Sequence, residues 1–340
     1  MWKNYEGRLS VTEEDFRLLR SVKFIIIRVN TVPFCRFIYY KRMRVSMNMS
    51  YIFQKIEHEK APIMKWNGTG NNGCTWEIYC GDSFNVLSQL PSESVHCVVT
   101  SPPYFSLRDY KVEGQIGLEE SVQEYIEAIC KVMDEVRRVL KPEGTMFLNL
   151  GDTYYSGKGK SHGTDPKSNK RRFGLRAVDK SGGLGINLQR KSIIGVPWRV
   201  AIEMASRQWV LRSPIIWHRD KCLPESVIDR PRRSYEYVFM FVKSRKYYFN
   251  RKPLIDEIQE DLWTIVPRPK ANSGIDTAPF PDELVKRCLD IGCPSGGIVL
   301  DPFVGSGTTV RVALESGSSA IGIDLSPPFC EYIVKEMKGI

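Results

Sequence analysis

The chain has 340 residues, 42% of them hydrophobic and 26% charged, and its 49 Lys and Arg against 39 Asp and Glu leave a formal net charge of +10. The apolar fraction suffices for a buried core, and the length for one large α/β domain with insertions or two modest domains. The basic balance favours a polyanionic partner, because lysines and arginines that neutralise phosphates release counterions; a charged solvated surface is the plain alternative.

Residues 1–75 stand apart as an N-terminal extension. Glu13 to Leu19 reads as a helix start. Ser21 to Tyr40 carries Arg28, Pro33 and Arg36 within its apolar stretch, so no uninterrupted run spans a bilayer, and no small-residue cleavage site follows a clean apolar core. A cytoplasmic location is the expectation. An accessory arm, a dimerisation segment and an upstream extension of the reading frame, with Met47 or Met49 as the start, all stay open as roles for this segment. Trp66 to Asn72 reads as a Gly/Asn-rich linker into the core.

Residues 76–340 read as a single α/β domain. Strands are expected at Ile78–Cys80, Val95–Thr100, Met146–Leu150, Val210–Trp217, Tyr237–Val242, Val299–Asp301 and Ala320–Asp324. Ser121 to Leu140 places Val122, Ile126, Ile129, Met133, Val136 and Val139 at near-helical spacing, with Pro142 and Gly144 as a stop. Val196–Arg207, Asp282–Ile291, Val310–Glu315 and Pro328–Met337 read as further helices. Such alternation implies a doubly wound, mostly parallel sheet covered on both faces. Tyr237–Val242 and Tyr247–Phe249, joined by a short Lys-Ser-Arg turn, suggest an antiparallel edge hairpin.

Between Gly157 and Lys191 ten Lys or Arg face only Asp165 and Asp179, among many glycines and serines. This basic insertion, about residues 156–192, is a candidate recognition loop: Lys170, Arg171 and Arg172 would track phosphates, and Arg176, Gln189 or Arg190 would read base edges. A solvated, disordered insertion is the alternative. Arg230, Arg232 and Arg233, with Arg219 and Lys221 nearby, follow the Trp217 strand and are the better candidates for nucleic-acid contact. His218 and Arg108-Asp109-Tyr110 are read by default as a surface histidine and as loop architecture with a local ion pair. The nine cysteines include no CxxC pair and the four histidines are scattered, so neither a metal site nor a structural disulfide is expected; Cys97, Cys130 and Cys288 fit small core positions.

Two short segments carry the chemistry. The first, Asp301-Pro302-Phe303-Val304-Gly305-Ser306-Gly307-Thr308-Thr309-Val310, follows the apolar run Gly297 to Leu300. Its glycines allow positive φ and close backbone approach, and Thr308-Thr309 open a helix whose free amides can face a ligand. A phosphate-binding loop would end in Gly-Lys-Ser/Thr, and a dinucleotide fingerprint would place a third glycine where Val310 stands. A smaller nucleoside-type ligand without pyrophosphate remains, with Asp324 at the end of the next strand placed for ribose hydroxyls; S-adenosylmethionine fits that description, and a bare tight turn is the alternative.

The second segment, Ser101-Pro102-Pro103-Tyr104, ends the strand at Val95–Thr100. Its two prolines remove amide donors and fix the carbonyls of Ser101 and Pro102 as acceptors. An exocyclic base amine is a poor nucleophile because its lone pair is delocalised into the ring. Accepting its N–H protons on Ser101 Oγ and a fixed carbonyl would localise that pair for attack on a sulfonium methyl. Tyr104 offers an aromatic face for an unstacked base. A polyproline turn or a partner-binding segment is the alternative.

These residues resemble the DNA amino-methyltransferases of restriction and modification systems, in the β arrangement where the catalytic motif precedes the cofactor motif. The resemblance runs from about Glu77 to the C-terminus. It takes in Tyr79-Cys80-Gly81-Asp82-Ser83, Lys141 to Asp152, Ile215-Ile216-Trp217-His218, Pro224 to Pro231, Tyr235-Glu236-Tyr237-Val238-Phe239, and Asp261 to Ile265 followed by Ala278-Pro279-Phe280-Pro281. It implies a Rossmann-like methyltransferase fold with permuted motif order and S-adenosyl-L-methionine as cofactor. Ser101, Pro102, Pro103 and Tyr104 would be catalytic. Asp82, Asp301, Phe303, Gly305, Gly307, Thr308, Thr309, Asp324, Ala278 and Phe280 would hold the cofactor. The family usually has histidine where Asp276 stands.

The resemblance also implies double-stranded DNA as partner, a cognate restriction endonuclease, a monomer or weak dimer, and a bacterial, archaeal or phage source. Serine before Pro-Pro-Tyr is commonest among cytosine-N4 enzymes, while adenine N6 stays open because it presents an equivalent amine. A catalytically inactive DNA-binding protein on the same fold is the reading from another class. Methylation at cytosine carbon 5 needs a Cys nucleophile, typically in a Pro-Cys pair, and this chain has only the reverse order at Cys293-Pro294.

Overall fold

The computed structural model describes residues 63–157, 178, 185–220, 227–256, 260–267 and 280–338. The helix start expected at Glu13 to Leu19, most of the basic insertion with Lys170, Arg171, Arg172 and Arg176, and also Lys221, residues 224–226, Asp276 and Ala278 lie outside them.

The strands are β1 (Met64–Thr69), β2 (Thr75–Cys80), β3 (Val95–Thr100), β4 (Leu140–Leu150), β5 (Val210–Arg219), β6 (Tyr235–Val242), β7 (Leu262–Ile265), β8 (Ile298–Asp301) and β9 (Ser319–Asp324). The helices are α1 (Ser83–Leu87), α2 (Val122–Val139), α3 (Val196–Ser206), α4 (Lys252–Asp256), α5 (Asp282–Gly292), α6 (Thr308–Glu315) and α7 (Pro327–Met337). The nine strands among the described residues join one sheet in the order β1-β2-β9-β8-β3-β4-β6-β5-β7. Of these, only β1 and β6 run against the others.

The central strands are apolar on both faces because both are covered: Val98, Val99, Val299 and Leu300 are buried whichever way they point. On one face pack α1, α2 and α3, through Val86, Leu87, Ile129, Met133, Val200 and Met204. On the other pack α5, α6 and α7, through Leu284, Cys288, Val310, Val312 and Ile333. The expected doubly wound architecture is therefore present. Cys97, Cys130 and Cys288 are buried core residues. Helix α2 begins at a capping box, with Ser121 Oγ accepting from Glu124 N and Glu124 Oε2 from Ser121 N, and carries Arg137 and Arg138 in its last turn. Among the described residues no helix is long and apolar enough to cross a membrane.

Three expectations are corrected. Trp66 to Asn72 is not a linker: β1 pairs antiparallel with β2 from Met64↔Cys80 to Thr69↔Thr75, so the sheet begins upstream of the boundary expected at residue 75. A Cβ at Gly68 would stand 2.5 Å from Trp76 Cζ2, so the glycine exists to let the indole lie across the strand. The hairpin expected of Tyr237–Val242 and Tyr247–Phe249 does not form, and the antiparallel pair at the sheet edge is β1 with β2: β6 sits inside the sheet, antiparallel to both β4 and β5, and Tyr247–Phe249 is not a strand. Tyr248 N instead donates to Glu143 O at 2.8 Å. His218 does not follow the strand; it lies within β5, paired opposite Tyr235.

Chain direction locates the crevice. From β8 the chain passes through α6 to β9 on one side, and from β3 through α2 to β4 on the other, while β8 and β3 are neighbours. The strand order thus reverses between β8 and β3, where the carboxyl ends of an open α/β sheet leave a binding crevice. Both chemistry-bearing segments emerge there.

Candidate active site at the strand switch point

Asp301, the last residue of β8, joins the two segments. Its Oδ1 accepts from Thr100 Oγ1 at 2.7 Å and from Phe303 N at 3.0 Å, and its Oδ2 accepts from Thr309 Oγ1 at 2.7 Å. Thr309 Oγ1 also lies 3.3 Å from Val99 O of β3. One buried carboxylate thus ties the end of β3, the turn after β8 and the first turn of α6 into a single unit. Ser83 Oγ adds a fourth element by donating to Pro302 O at 2.6 Å, and the preceding Asp82 caps α1 by accepting from Asn85 N.

The turn from β8 into α6 has the form expected of a ligand cradle. Gly305 and Gly307 have φ of +52° and +84°, and a Cβ at Gly307 would meet Ile333 of α7 at 3.0 Å. Gly307 is the N-cap of α6 and brings no side-chain cap, so the first-turn amides stay available. Thr308 Oγ1 is buried with no hydrogen-bond partner, an orphaned polar atom beside those amides. Asp324, ending β9, accepts from Gly305 N at 2.9 Å and from Ser326 N at 2.8 Å, which fixes the outer wall. An unmatched hydroxyl, uncapped amides and a carboxylate on opposite sides of a glycine turn fit a ligand with both amino-acid and ribose-type polar groups.

Both carboxylates are shifted. Burial pushes Asp301 up to about 6 against the opposing hydrogen bonds of Thr100, Thr309 and Phe303, and pushes Asp324 up to about 7 against its backbone donors. A raised carboxyl favours the folded state when protonated. That contribution is complete below the ordinary value of 3.8 and lost as pH rises through 6 and 7. For Asp301 the shift corresponds to about 3 kcal/mol. The ligand-free protein should therefore show a falling urea midpoint between about pH 4 and pH 7. Asp301→Asn should flatten the part between about pH 4 and pH 6; a midpoint that rises across this window would contradict the assignment.

On the β3 side, the Pro-Pro turn is held from below by Tyr125 of α2, whose hydroxyl donates to Pro103 O at 2.9 Å. Among the described residues the carbonyls of Ser101 and Pro102 accept no hydrogen bond. Ser101 Oγ donates to Tyr104 Oη at 3.3 Å, and Tyr104 Oη lies 2.6 Å from Glu236 Oε2 and 3.0 Å from Asn149 Oδ1. Burial and the Glu236 charge hold the Tyr104 hydroxyl well above its ordinary value, so it stays neutral. Its ring lies against the end of β4, where a Cβ at Gly151 would stand 2.6 Å from Tyr104 Cε2. Gly151→Ala should displace the ring and lower turnover about tenfold or more with little change in the unfolding midpoint; unchanged turnover would show that the ring tolerates displacement.

The basic residues divide. Arg219 Nη1 pairs with Glu236 Oε1 at 3.0 Å and its Nη2 donates to Arg233 O, while Arg233 Nη1 donates to Asp152 O. These two arginines, expected as nucleic-acid contacts, have protein partners beside Tyr104. Arg230 lies over the Tyr154 ring at 3.8 Å, and Arg232 is exposed. Phe280 is buried in the core of the α5–α7 face, just before α5. Asp152 Oδ1 accepts from Gly195 N and Val196 N and so anchors the start of α3. Sequence reasoning did not single out Ser83, Tyr125, Asn149 or Glu236 as site residues. Only Glu236, a charge inside an otherwise apolar strand, carried a readable signal.

The DNA methylase family model of the N6/N4 type matches residues 95–335. The type II methyltransferase M.SmaI of Serratia marcescens is 40% identical over 262 residues, 74% of this chain and 87% of that protein. M.Cfr9I of Citrobacter freundii is 38% identical over 275 residues, 79% and 89% of the two. Among solved structures, TTHA0409 from Thermus thermophilus, determined with S-adenosyl-L-methionine, aligns at a TM-score of 0.54 with 26% identity over 76% of this chain and 92% of that one. PvuII DNA methyltransferase, cytosine-N4-specific, shares the fold at a TM-score of 0.60 with 20% identity over 80% and 92%. With the permuted pair of segments meeting at one strand switch point, and a family match across more than two thirds of its length, the chain belongs to the N6/N4 DNA methylase family.

Proposed function

We propose that this protein transfers a methyl group from S-adenosylmethionine to the N4 amine of a cytosine flipped out of duplex DNA. The observation that carries the reading is the Thr100–Asp301 hydrogen bond of 2.7 Å, which puts the Ser101 acceptor turn and the glycine cradle in one crevice. The turn Gly305 to Thr309, with Thr308 Oγ1, would hold the methionine end of the cofactor, and Asp82 and Asp324 the nucleoside end. S-adenosylmethionine, when bound, supplies an electrophilic methyl on sulfonium.

The chain's residues make the nucleophile. Ser101 Oγ, with its own proton given to Tyr104, has only lone pairs to present, and the Pro102 carbonyl is a second fixed acceptor. Two N–H bonds accepted in the plane of the amine draw its lone pair out of the ring and direct it at the methyl. The prolines and the Tyr125–Pro103 bond hold these acceptors still, so little reorganisation is needed at the moment of transfer. Arg230, Arg232 and the basic insertion with Lys170, Arg171 and Arg172, together with Lys221, are the residues proposed to engage the phosphate backbone. A nuclease cutting the same sequence is the functional partner this reading implies.

Mass spectrometry of nucleosides from unmethylated DNA incubated with protein and cofactor tests the base. N4-methylcytosine is the expected product. N6-methyladenine would keep the transfer reaction and overturn the choice of base.

A further inference from the structure

Glu236 is a carboxylate buried within β6, in the strand's otherwise aromatic and aliphatic run Tyr235 to Val242. Its two oxygens are divided: Oε1 takes Arg219 from β5 at 3.0 Å, and Oε2 faces the site, taking Tyr104 Oη at 2.6 Å and Asn149 Nδ2 from β4 at 3.3 Å. Tyr104 has one proton and two candidate acceptors, and the shorter, charge-assisted contact to Glu236 prevails over the Asn149 carbonyl. Ser101 then donates to Tyr104. The hydrogen-bond direction is therefore fixed along a chain that opens at Ser101 Oγ, where the substrate amine enters, and closes on a carboxylate. The other charged groups nearby, Arg233 and Asp152, are one link removed, through the Arg219–Arg233 and Arg233–Asp152 bonds to backbone carbonyls.

We propose that Glu236 is the terminal proton acceptor of the methylation site, reached from the base amine through Ser101 and Tyr104. The inference rests on the amine-methylation reading above. Amine methylation leaves one proton too many: the N–CH3 bond forms as the S–CH3 bond breaks with its pair on sulfur, and the nitrogen must then release an N–H proton with that pair kept on nitrogen. Ser101 Oγ accepts this proton while passing its own to Tyr104 Oη, and Tyr104 passes its own to Glu236 Oε2. Each hydroxyl ends neutral, and the carboxylate ends protonated. Arg219 holds Oε1 so that Oε2 keeps its aim. Glu236 touches no substrate; it is a positioning and proton-accepting residue that acts through Tyr104. The 3.3 Å step between Ser101 and Tyr104 is the loose end of the chain, the kind of contact that tightens when substrate seats.

The test is single-turnover methyl transfer to duplex DNA by the full-length protein, with cofactor affinity measured separately. Glu236→Gln keeps the shape but accepts no proton. Transfer should slow about 100-fold with cofactor affinity unchanged, and Glu236→Asp should restore part of the rate. A Glu236→Gln protein with the wild-type rate would overturn the relay while leaving methylation intact. Should that variant not fold, Tyr104→Phe breaks the chain and keeps the ring: slowed transfer with unchanged cofactor affinity supports the relay, and the wild-type rate overturns it. Wild-type protein that methylates no base in any DNA would remove the amine-methylation reading and the relay with it.

Discussion

A Ser101→Ala protein should bind S-adenosylmethionine as the wild type does and transfer methyl about 10²- to 10³-fold more slowly. Ser101 sits one residue past β3, bonds through its hydroxyl to Tyr104 alone among the described residues, and takes no part in the Asp301 junction, so its hydroxyl contributes little to the fold. Its loss removes one of two acceptors from the entering amine and disconnects Tyr104 and Glu236 from the substrate. The effect should therefore appear in kcat, with the KM for cofactor unchanged, because the interaction matters most as the amine gives up its proton. A variant with weakened cofactor binding and normal kcat would place Ser101 in the cradle instead.

Asp301→Ala should cost about 2–5 kcal/mol of stability and abolish cofactor binding. The buried hydroxyl of Thr100 and the Phe303 amide would lose their acceptor, while Thr309 retains a weaker alternative at Val99 O, 3.3 Å away. The turn Pro302 to Gly307 would lose its anchor at the β8 end and rely on the Ser83–Pro302 and Asp324–Gly305 bonds. Urea unfolding and a cofactor titration read the two effects separately. Asp301→Asn keeps one acceptor oxygen and should fall between wild type and Asp301→Ala on both; an alanine variant that binds cofactor normally would show that the junction is not what shapes the cradle.

The two chemistry-bearing segments were legible because their backbone demands are local. Prolines fix φ at the end of β3, and glycines supply positive φ at the end of β8, whatever the rest of the chain does. That they meet also followed from the strand-helix alternation, which sends parallel strands to one common edge. The place of β6 was less accessible. Tyr235 to Val242 is buried on both faces, the mark of an interior strand, and the short turn toward Tyr247 suggested an edge instead. β1 was missed because an edge strand exposes alternate residues, and Lys65, Asn67 and Gly68 resemble a loop.

The arginines teach a different lesson. Arg219 and Arg233 belong to a basic cluster in sequence, but their partners, Glu236 and the Asp152 carbonyl, come from other elements of the fold, and no pattern within the cluster names them. Thr100, Ser83 and Tyr125 act through single bonds to residues far away in sequence, so their roles emerge only when the sheet assembles.

Photo-crosslinking of methyl-labelled S-adenosylmethionine to the wild-type protein, followed by peptide mapping, asks most directly whether the crevice between β8 and β3 holds the cofactor. Label in the peptides spanning Asp301–Thr309 and Ser101–Tyr104, lost when S-adenosylhomocysteine competes, is the expected result. Competable label confined to peptides from β5 to β7, with none on either segment, would contradict the placement of the site.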